Sequence, residues 1–412
     1  MRRAILLGVA YIREDNRIER DLIELGELAR SIGIFPVASF WQILQRPLKT
    51  YMGKGKLEKI VEYTKLYKAD GVITDDELSP VQKSKLEEIL KVEVLDRTQV
   101  ILRNFARSAR TSEGKTEVEL AMLEYKLSYI KGSSNYLSRT AGGIGTRGPG
   151  ESKLEMDRRA VRKRIARLRS KIKKISEDRL LKRQKRLTSI LPKVSIAGYT
   201  NAGKSMLLKA LSGFKVKSED KLFTTLDPTT KKVWLGENVF ALFSDTVGFI
   251  SKLPPQLIRA FHSTLEEVVD ANLILLVADG YDEDVDEKLR VSEKVLEDIG
   301  AGDVPKITVI NKIDLCDESR LKELVYKHED AIFISAKKNL YIDELVKRLR
   351  EEITKDYLEK EMEVPNEMWS TVSRTIGIRV MNFKQTGDIV QAKLKIHPFL
   401  VEKIMEENRA LS

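Results

Sequence analysis

The sequence predicts an α/β protein of more than one domain, and three observations carry that prediction. Strand-length apolar runs alternate with helix-period segments over roughly the first hundred residues. The same alternation returns from Thr188 to about Tyr357. Between them lies a stretch whose apolar residues recur only at helical spacing.

The first alternation contains candidate strands at 4–11, 35–41, 69–74 and 92–96. Helices are expected at 17–31, where Ile18, Leu22, Leu25 and Leu28 share a face, and at 55–67 and 79–90. In the middle stretch Leu120, Leu123, Leu127 and Ile130 make one apolar stripe, and Val161, Ile165, Leu168, Ile172 and Ile175 make another. Two such stripes separated by a glycine-rich break predict an antiparallel helical hairpin. Residues 139–159 between them hold five Gly and four Arg, too little apolar side chain for a core. The second helix is basic: fifteen Arg or Lys stand between Arg158 and Arg186, against two acids, Glu177 and Asp178.

The second alternation predicts strands at 193–198, 231–235, 239–245, 272–278, 305–310 and 330–334. Helices are expected at 204–212, 258–268, 285–298, 318–326 and 341–355, a doubly wound layout on a mainly parallel sheet. The tail suggests strands within 372–397 and a last helix near 398–408. The expected division is an N-terminal α/β subdomain (1–110), a basic hairpin (111–187), a nucleotide-binding domain (188–357) and a small α+β C-terminal domain (358–412).

Bulk properties narrow the function. Seventy-three Lys and Arg against sixty-two Asp and Glu leave a formal charge of +11, which suits nucleic acid, an acidic protein or a lipid surface. Cys316 is the only cysteine, so no internal disulfide or thiolate cluster can form, and His262, His328 and His397 lie in no metal motif. The N-terminal AILLGVAY runs straight into IREDNRIERD, which reads as a first strand rather than a signal peptide, and no run approaches the roughly 18 apolar residues of a membrane span. A cytoplasmic location is expected.

The chemistry is concentrated in VSIAGYTNAGKS. Its form is a strand followed by G-x-x-x-x-G-K-S, with Gly198, Asn201, Ala202, Gly203, Lys204 and Ser205 as candidate phosphate contacts. Glycines let backbone N–H groups close around phosphate oxygens, and the helix that follows turns its positive end toward them. Lys204 would reach the β- and γ-phosphates and Ser205 would hold Mg²⁺. Asp245 to Gly248 reads D-T-V-G after an apolar run; Asp245 suits the Mg²⁺ shell through water, and Gly248 the γ-phosphate. Asn311, Lys312 and Asp314 form N-K-x-D after a strand, and Ser335, Ala336 and Lys337 form a second loop beyond the next. A carboxylate at Asp314 accepts from guanine N1–H and N2–H₂, a donor pair that adenine lacks. The pattern predicts GTP, with Lys204, Thr225 and Gly248 as catalytic candidates. Phe223 and Thr225 lie in LFTTLDPTTKK; Thr225 is expected to complete the Mg²⁺ shell, with Thr224, Thr229 and Thr230 as alternatives. Phe249 follows Gly248 where many G proteins carry a water-orienting Gln, so hydrolysis needs another group or a partner. Asn201 resembles the asparagine of potassium-activated G proteins, which points to K⁺ near the phosphates.

These motifs, with GKGKLEKI, ELSPVQ, LDRTQVIL, EVELAMLEY, GGIGTRGPGES, LFTTLDPTT and DTVGFISKLP, resemble the HflX family of GTPases over most of the chain. The resemblance implies an α/β subdomain, a long hairpin and a GTPase domain. It implies a protein that binds the large ribosomal subunit and the 70S ribosome, splits stalled ribosomes and is stimulated by the large subunit; nothing in the sequence demands a dimer, so a monomer is expected. It also implies ATP at the N-terminal region. Arg139, Gly142, Gly143, Arg147, Gly148 and Gly150 become candidate rRNA contacts at the hairpin tip, Arg147 foremost, with Glu151 organising the loop. The alternatives are a large-subunit assembly GTPase and a non-catalytic RNA-binding scaffold.

Overall fold

A computed structural model describes residues 2–11, 17–140, 149–184, 191–213, 229–252, 254, 267–398 and 400–401; over 131–140, 149–154 and 176–184 the backbone alone is described. The chain forms two units. One comprises Met1–Asp178, Lys221–Leu226 and Lys252–Phe261; the other comprises Arg179–Asp220, Asp227–Ser251 and His262–Ser412.

The first unit opens with β1 (Arg3–Tyr11), α1 (Ile18–Ser31), β2 (Phe35–Leu44), α2 (Lys54–Leu66), β3 (Gly71–Thr74), α3 (Pro80–Leu90) and β4 (Glu93–Asp96). Its sheet is parallel, in the order β2-β1-β3-β4. β1 is buried from Ala4 to Ala10, the mark of a strand covered on both faces. Ile5, Leu7 and Val9 pack with Leu57, Ile60, Val72, Leu86 and Val94. β2 takes the edge, and the register slips between Ala4 and Ile5, opposite Pro36, where a ladder N–H is missing.

The carboxyl ends of this sheet gather charge. Arg97 opens α4 (Arg97–Ser108), is 2% exposed, donates to Asp75 at 2.6 Å and pairs with Glu24. Lys252, left-handed at φ 53°, groups with this unit; its ammonium pairs with Asp75 and lies 2.8 Å from Asp21 and 3.8 Å from Asp76. Burial, and then the Asp75 charge, push Asp21 above its ordinary range against the pull of Lys252. Burial would lower Lys252, but Asp75 and Asp21 more than offset it and hold the ammonium charged. α4 was not among the expected helices. Its start is nevertheless written in D-x-x-Q: Asp96 and Gln99 form a reciprocal capping box.

Asp96 also roots the hairpin. One of its oxygens accepts from the Gln99 N–H at 2.9 Å. The other accepts from Tyr125, lies 2.8 Å from the Tyr129 hydroxyl and takes the Leu78 N–H at 3.2 Å. Burial and the Asp96 charge push both phenols above their ordinary range, so they stay protonated donors. Both tyrosines lie on α5 (Ser112–Thr140), whose partner is α6 (Pro149–Gln184). Leu120, Val161, Ile165 and Leu168 form the expected seam, with Leu123, Leu127, Ile130 and Ile172 against it. Arg164 grips Glu119 at 2.8 and 3.0 Å, and Arg169 donates to Glu124 at 2.7 Å.

The second unit contains β5 (Lys193–Gly198), α7 (Lys204–Ser212), β6 (Thr229–Trp234), β7 (Phe240–Asp245), β8 (Leu273–Asp279), α8 (Val285–Asp298), β9 (Lys306–Asn311), α9 (Glu318–Lys327), β10 (Ile332–Phe333) and α10 (Ile342–Ile353). The order is β10-β9-β8-β5-β7-β6, parallel except for β6, so the sheet is mainly parallel, as the sequence predicts. The helix expected over 258–268 falls largely outside the described residues. Then come β11 (Leu358–Pro365), α11 (Asn366–Arg374), β12 (Ile378–Thr386) and β13 (Ile389–Ile396), an antiparallel sheet in the order β11-β13-β12. β11 precedes the strands the sequence suggests, and residues 372–374 are helical rather than extended.

The turn from β6 to β7 mounts this small sheet. Gly236, Glu237 and Asn238 are all left-handed, at φ 86°, 48° and 59°. Asn238 donates to the carbonyl of Thr375 at 2.7 Å, with those of Ser373 and Ile378 at 3.3 and 3.4 Å. Glu237 pairs with Arg350 at 3.1 Å and with Arg379.

Replacing Asp96 with Ala takes the carboxylate from the buried Tyr125 phenol and from the Leu78 and Gln99 amides, while the Tyr129 hydroxyl keeps the Leu78 carbonyl at 2.6 Å. We expect the local opening free energy of α5 around Val118–Tyr129 to fall by about 2–4 kcal/mol. Hydrogen exchange of the full chain measures it, and Tyr129→Phe should cost about 1 kcal/mol.

Candidate functional site

Every group that the sequence assigns to the nucleotide, and that the structure describes, stands at or just beyond the carboxyl end of a parallel strand. This is where ligands bind in open α/β sheets. Gly198 ends β5, Asp245 ends β7, Asn311 ends β9, and Ser335 follows β10.

Crowding at the sheet centre explains two glycines. At Gly198, φ is 141° and a Cβ would fall 2.1 Å from the Val277 carbonyl oxygen. At Gly203, φ is 90° and a Cβ would fall 2.3 Å from Asn311 Nδ2. The chain therefore leaves β5, closes a loop and enters α7 with its N–H groups turned inward. Lys204, 7% exposed, donates to the carbonyls of Gly198 and Tyr199 at 3.0 and 2.8 Å. Burial pushes its ammonium down to about 8, with the Asp245 charge opposing the fall. Ser205 donates to Asp245 at 2.6 Å. A hydroxyl beside a strand-end carboxylate is an all-oxygen donor pair, which fits Mg²⁺.

The base side is held by Asn311, 2% exposed. Its amide donates to the Ala202 carbonyl at 2.9 Å, and its oxygen accepts from the Ala336 N–H at 2.9 Å. One side chain thus ties the phosphate loop to the Ser335–Lys337 loop. Asp314 accepts from the Ser335 hydroxyl at 2.6 Å, which aims the carboxylate. Lys312 pairs with Asp279 at 2.7 Å. Lys337 is exposed, and it is Lys338 whose ammonium lies 3.8 Å from Asp314. Asn201 sits in the loop at φ 63°.

Phe249 is 2% exposed and built into the loop. It bridges Tyr199 in parallel fashion, donating its N–H to the Gly198 carbonyl at 3.0 Å and accepting the Thr200 N–H at 2.8 Å. A phenyl ring carries no hydrogen-bonding group with which to orient a water. The sequence gives no hint of this pairing or of the Tyr199 contacts, because a motif shows which residues recur and not which of them touch. Phe223, Thr225, Gly142, Gly143, Arg147 and Gly148 lie outside the described residues; Arg139, Gly150 and Glu151 are described in backbone only.

Two measurements test this geometry. Asp314→Asn removes a charged acceptor, so GTP affinity should fall by about 10- to 100-fold in a fluorescence titration while xanthosine triphosphate gains affinity. Phosphates favour the charged form of Lys204, so binding raises its pKa. Above pH 8 the bound state must take up a proton, and GTP affinity should fall by up to about tenfold per pH unit. The slope should vanish in Lys204→Met, whose binding is weak throughout.

Comparison with known proteins agrees with the geometry. Three family descriptions match in succession: "GTP-binding GTPase N-terminal" at residues 19–106, "GTP-binding GTPase Middle Region" at 108–186 and "50S ribosome-binding GTPase" at 193–312. GTPase HflX of Caldanaerobacter subterraneus subsp. tengcongensis is 46% identical over 355 residues, covering 86% of this chain and 81% of that protein. GTPase HflX of Escherichia coli K12 is 37% identical over 365 residues, covering 88% and 85%. A solved GTP-binding protein of Sulfolobus solfataricus in complex with GDP is 25% identical, covers 86% of this chain and 99% of its own, and overlays with a TM-score of 0.45. A score that low leaves the assignment to the sequence relatives. Their identity over at least four fifths of both chains shows that this GTP-hydrolysing protein belongs to the HflX family of GTPases.

Proposed function

We propose that this GTPase binds the large ribosomal subunit and the 70S ribosome through rRNA, splits stalled or idle ribosomes into subunits, and hydrolyses GTP faster on the ribosome. The observation that carries the reading is the charge of α6. Arg159, Arg162, Lys163, Arg167 and Lys174 are exposed on it, while Glu119 and Glu124 of α5 are matched by Arg164 and Arg169. A rooted helical arm with surplus cations suits phosphate backbone and gives strong, salt-dependent affinity with little sequence reading. A family description that names the 50S ribosome supports the partner. The tip candidates Arg139, Gly142, Gly143, Arg147, Gly148 and Gly150 belong to the same proposal as contacts to folded rRNA.

In the proposed mechanism Lys204 and the loop N–H groups bind the phosphates, and Asp314 selects guanine. Ser205, Asp245 through water, and Thr225 hold Mg²⁺, which would offset charge on the β- and γ-oxygens. Gly248 offers its N–H to the γ-phosphate. The Phe249 side chain orients no water, so turnover is slow until the ribosome orders the site. Asn201 is the candidate K⁺ contact; exchanging K⁺ for Na⁺ should slow the stimulated rate, and an unchanged rate removes K⁺ from the mechanism. ATP, which the family resemblance brings to the N-terminal region, meets no P-loop form at Gly53–Lys56. That stretch opens α2, and the Gly53 N–H is donated to Gln42 at 2.9 Å. The proposal takes the protein as a cytoplasmic monomer; among the described residues no helix is long and apolar enough to cross a membrane.

GTP turnover with and without large subunits, run beside light scattering of 70S ribosomes, tests the proposal. Stimulation together with loss of scattering is expected. Enrichment on immature large particles without splitting would mean an assembly GTPase, and no turnover on subunits would mean a scaffold. Replacing Arg162, Lys163 and Arg167 with Ala should weaken ribosome binding and reduce its salt slope by about two to three, with GTP affinity unchanged.

A further inference from the structure

The residues after Asp245 do not simply approach the phosphate loop; they are fastened to it. Two fastenings are the backbone bonds of Phe249 to Gly198 and Thr200. The third uses a side chain: the Tyr199 hydroxyl accepts the Ser251 N–H at 2.7 Å. Tyr199 is 5% exposed, and the Lys288 ammonium of α8 stands 5.1 Å from its ring centroid, so the phenol is held on its face as well as at its tip. Among these three links the phenol is the only side-chain contribution, and so the only one a substitution can remove while leaving the backbone unaltered.

The fastened segment sits over Lys204. A Cβ built on Gly248 would fall 2.9 Å from Lys204 Nζ, 2.8 Å from Thr200 Cγ2 and 2.9 Å from Thr200 Cα. A γ-phosphate needs oxygens about 2.7–2.9 Å from both the ammonium and the Gly248 N–H. Were Gly248 to draw back from Lys204 to admit it, that movement would work against all three fastenings. A diphosphate makes no demand on Gly248. The fastening thus discriminates between the two nucleotides, as a two-position element must if it is to respond to one ligand and not the other.

We infer that Tyr199 is a positioning residue for GTP hydrolysis: its hydroxyl holds the segment after Gly248 against the phosphate loop and sets the balance between the GDP-compatible and GTP-compatible positions. The inference rests on GTP binding at this site and is separate from any ribosomal role.

Tyr199→Phe in the full chain removes the acceptor and keeps the ring. Affinities for GDP and for a non-hydrolysable GTP analogue are measured side by side, without ribosomes. The analogue should bind about three- to tenfold more tightly than to the parent protein while GDP affinity stays within twofold, the range expected for one neutral hydrogen bond. A purely structural role would move both affinities together. Equal changes, no change in the ratio, or a ratio shifted toward GDP would overturn the inference. If the variant does not fold, hydrogen exchange of the parent decides: the Ser251 amide should exchange faster with the analogue than with GDP, and equal protection overturns it. Loss of all nucleotide binding in the parent protein would instead sink the GTP site itself.

Discussion

The nucleotide site is governed by the crowding of β5 against β8. Where a Cβ would meet the Val277 carbonyl, only glycine passes, and the chain must leave the sheet at that point with a left-handed turn. That exit fixes where the phosphate loop closes, which places Ala202 over Asn311 and Lys204 beneath Gly248. Asn311 then carries the constraint sideways to Ala336. The loop expected to select guanine and the loop expected to bind phosphate are therefore set by one backbone packing problem. Asp314 and Lys204, far apart in sequence, keep their spacing because a single buried amide joins their loops.

The first unit rests on a different principle. Its strand ends bury charge. Asp75 is fully buried and is answered by Arg97 and Lys252. Burying ions in this way costs several kcal/mol unless each finds its partner, and it contributes geometry more reliably than net stability. Asp96 works alike with neutral donors: two phenols and two amides converge on one carboxylate, so α5 leaves the subdomain at one angle. A hairpin that carries surplus positive charge far from its base needs such a root.

Much of this was legible in the sequence for identifiable reasons. G-x-x-x-x-G-K-S, N-K-x-D and the apolar strands before them are local patterns, and local patterns survive translation into structure. The hairpin seam follows from spacing alone. What escaped has a weak local signature or none. β11 does alternate, Glu359, Glu361 and Glu363 standing between Leu358, Lys360, Met362 and Val364, but Val364 alone is buried, and a short Glu- and Lys-rich run of this kind does not stand out as a strand. α4 was hidden by the β-branched run after Thr98, although its capping box was present. The links Tyr125 to Asp96, Tyr199 to Ser251 and Lys252 to Asp75 span 29, 52 and 177 residues, beyond the reach of any periodicity.

β7 is six residues long, about 20 Å of hydrogen-bonded strand. At one end Asp245 faces the hydroxyl of Ser205; before the other, the left-handed turn of Glu237 and Asn238 grips Arg379 and the carbonyls around Thr375. A strand paired on both sides does not stretch or bend easily. The carboxylate beside Ser205 and the seat of the C-terminal sheet are thus two ends of a single stiff strut.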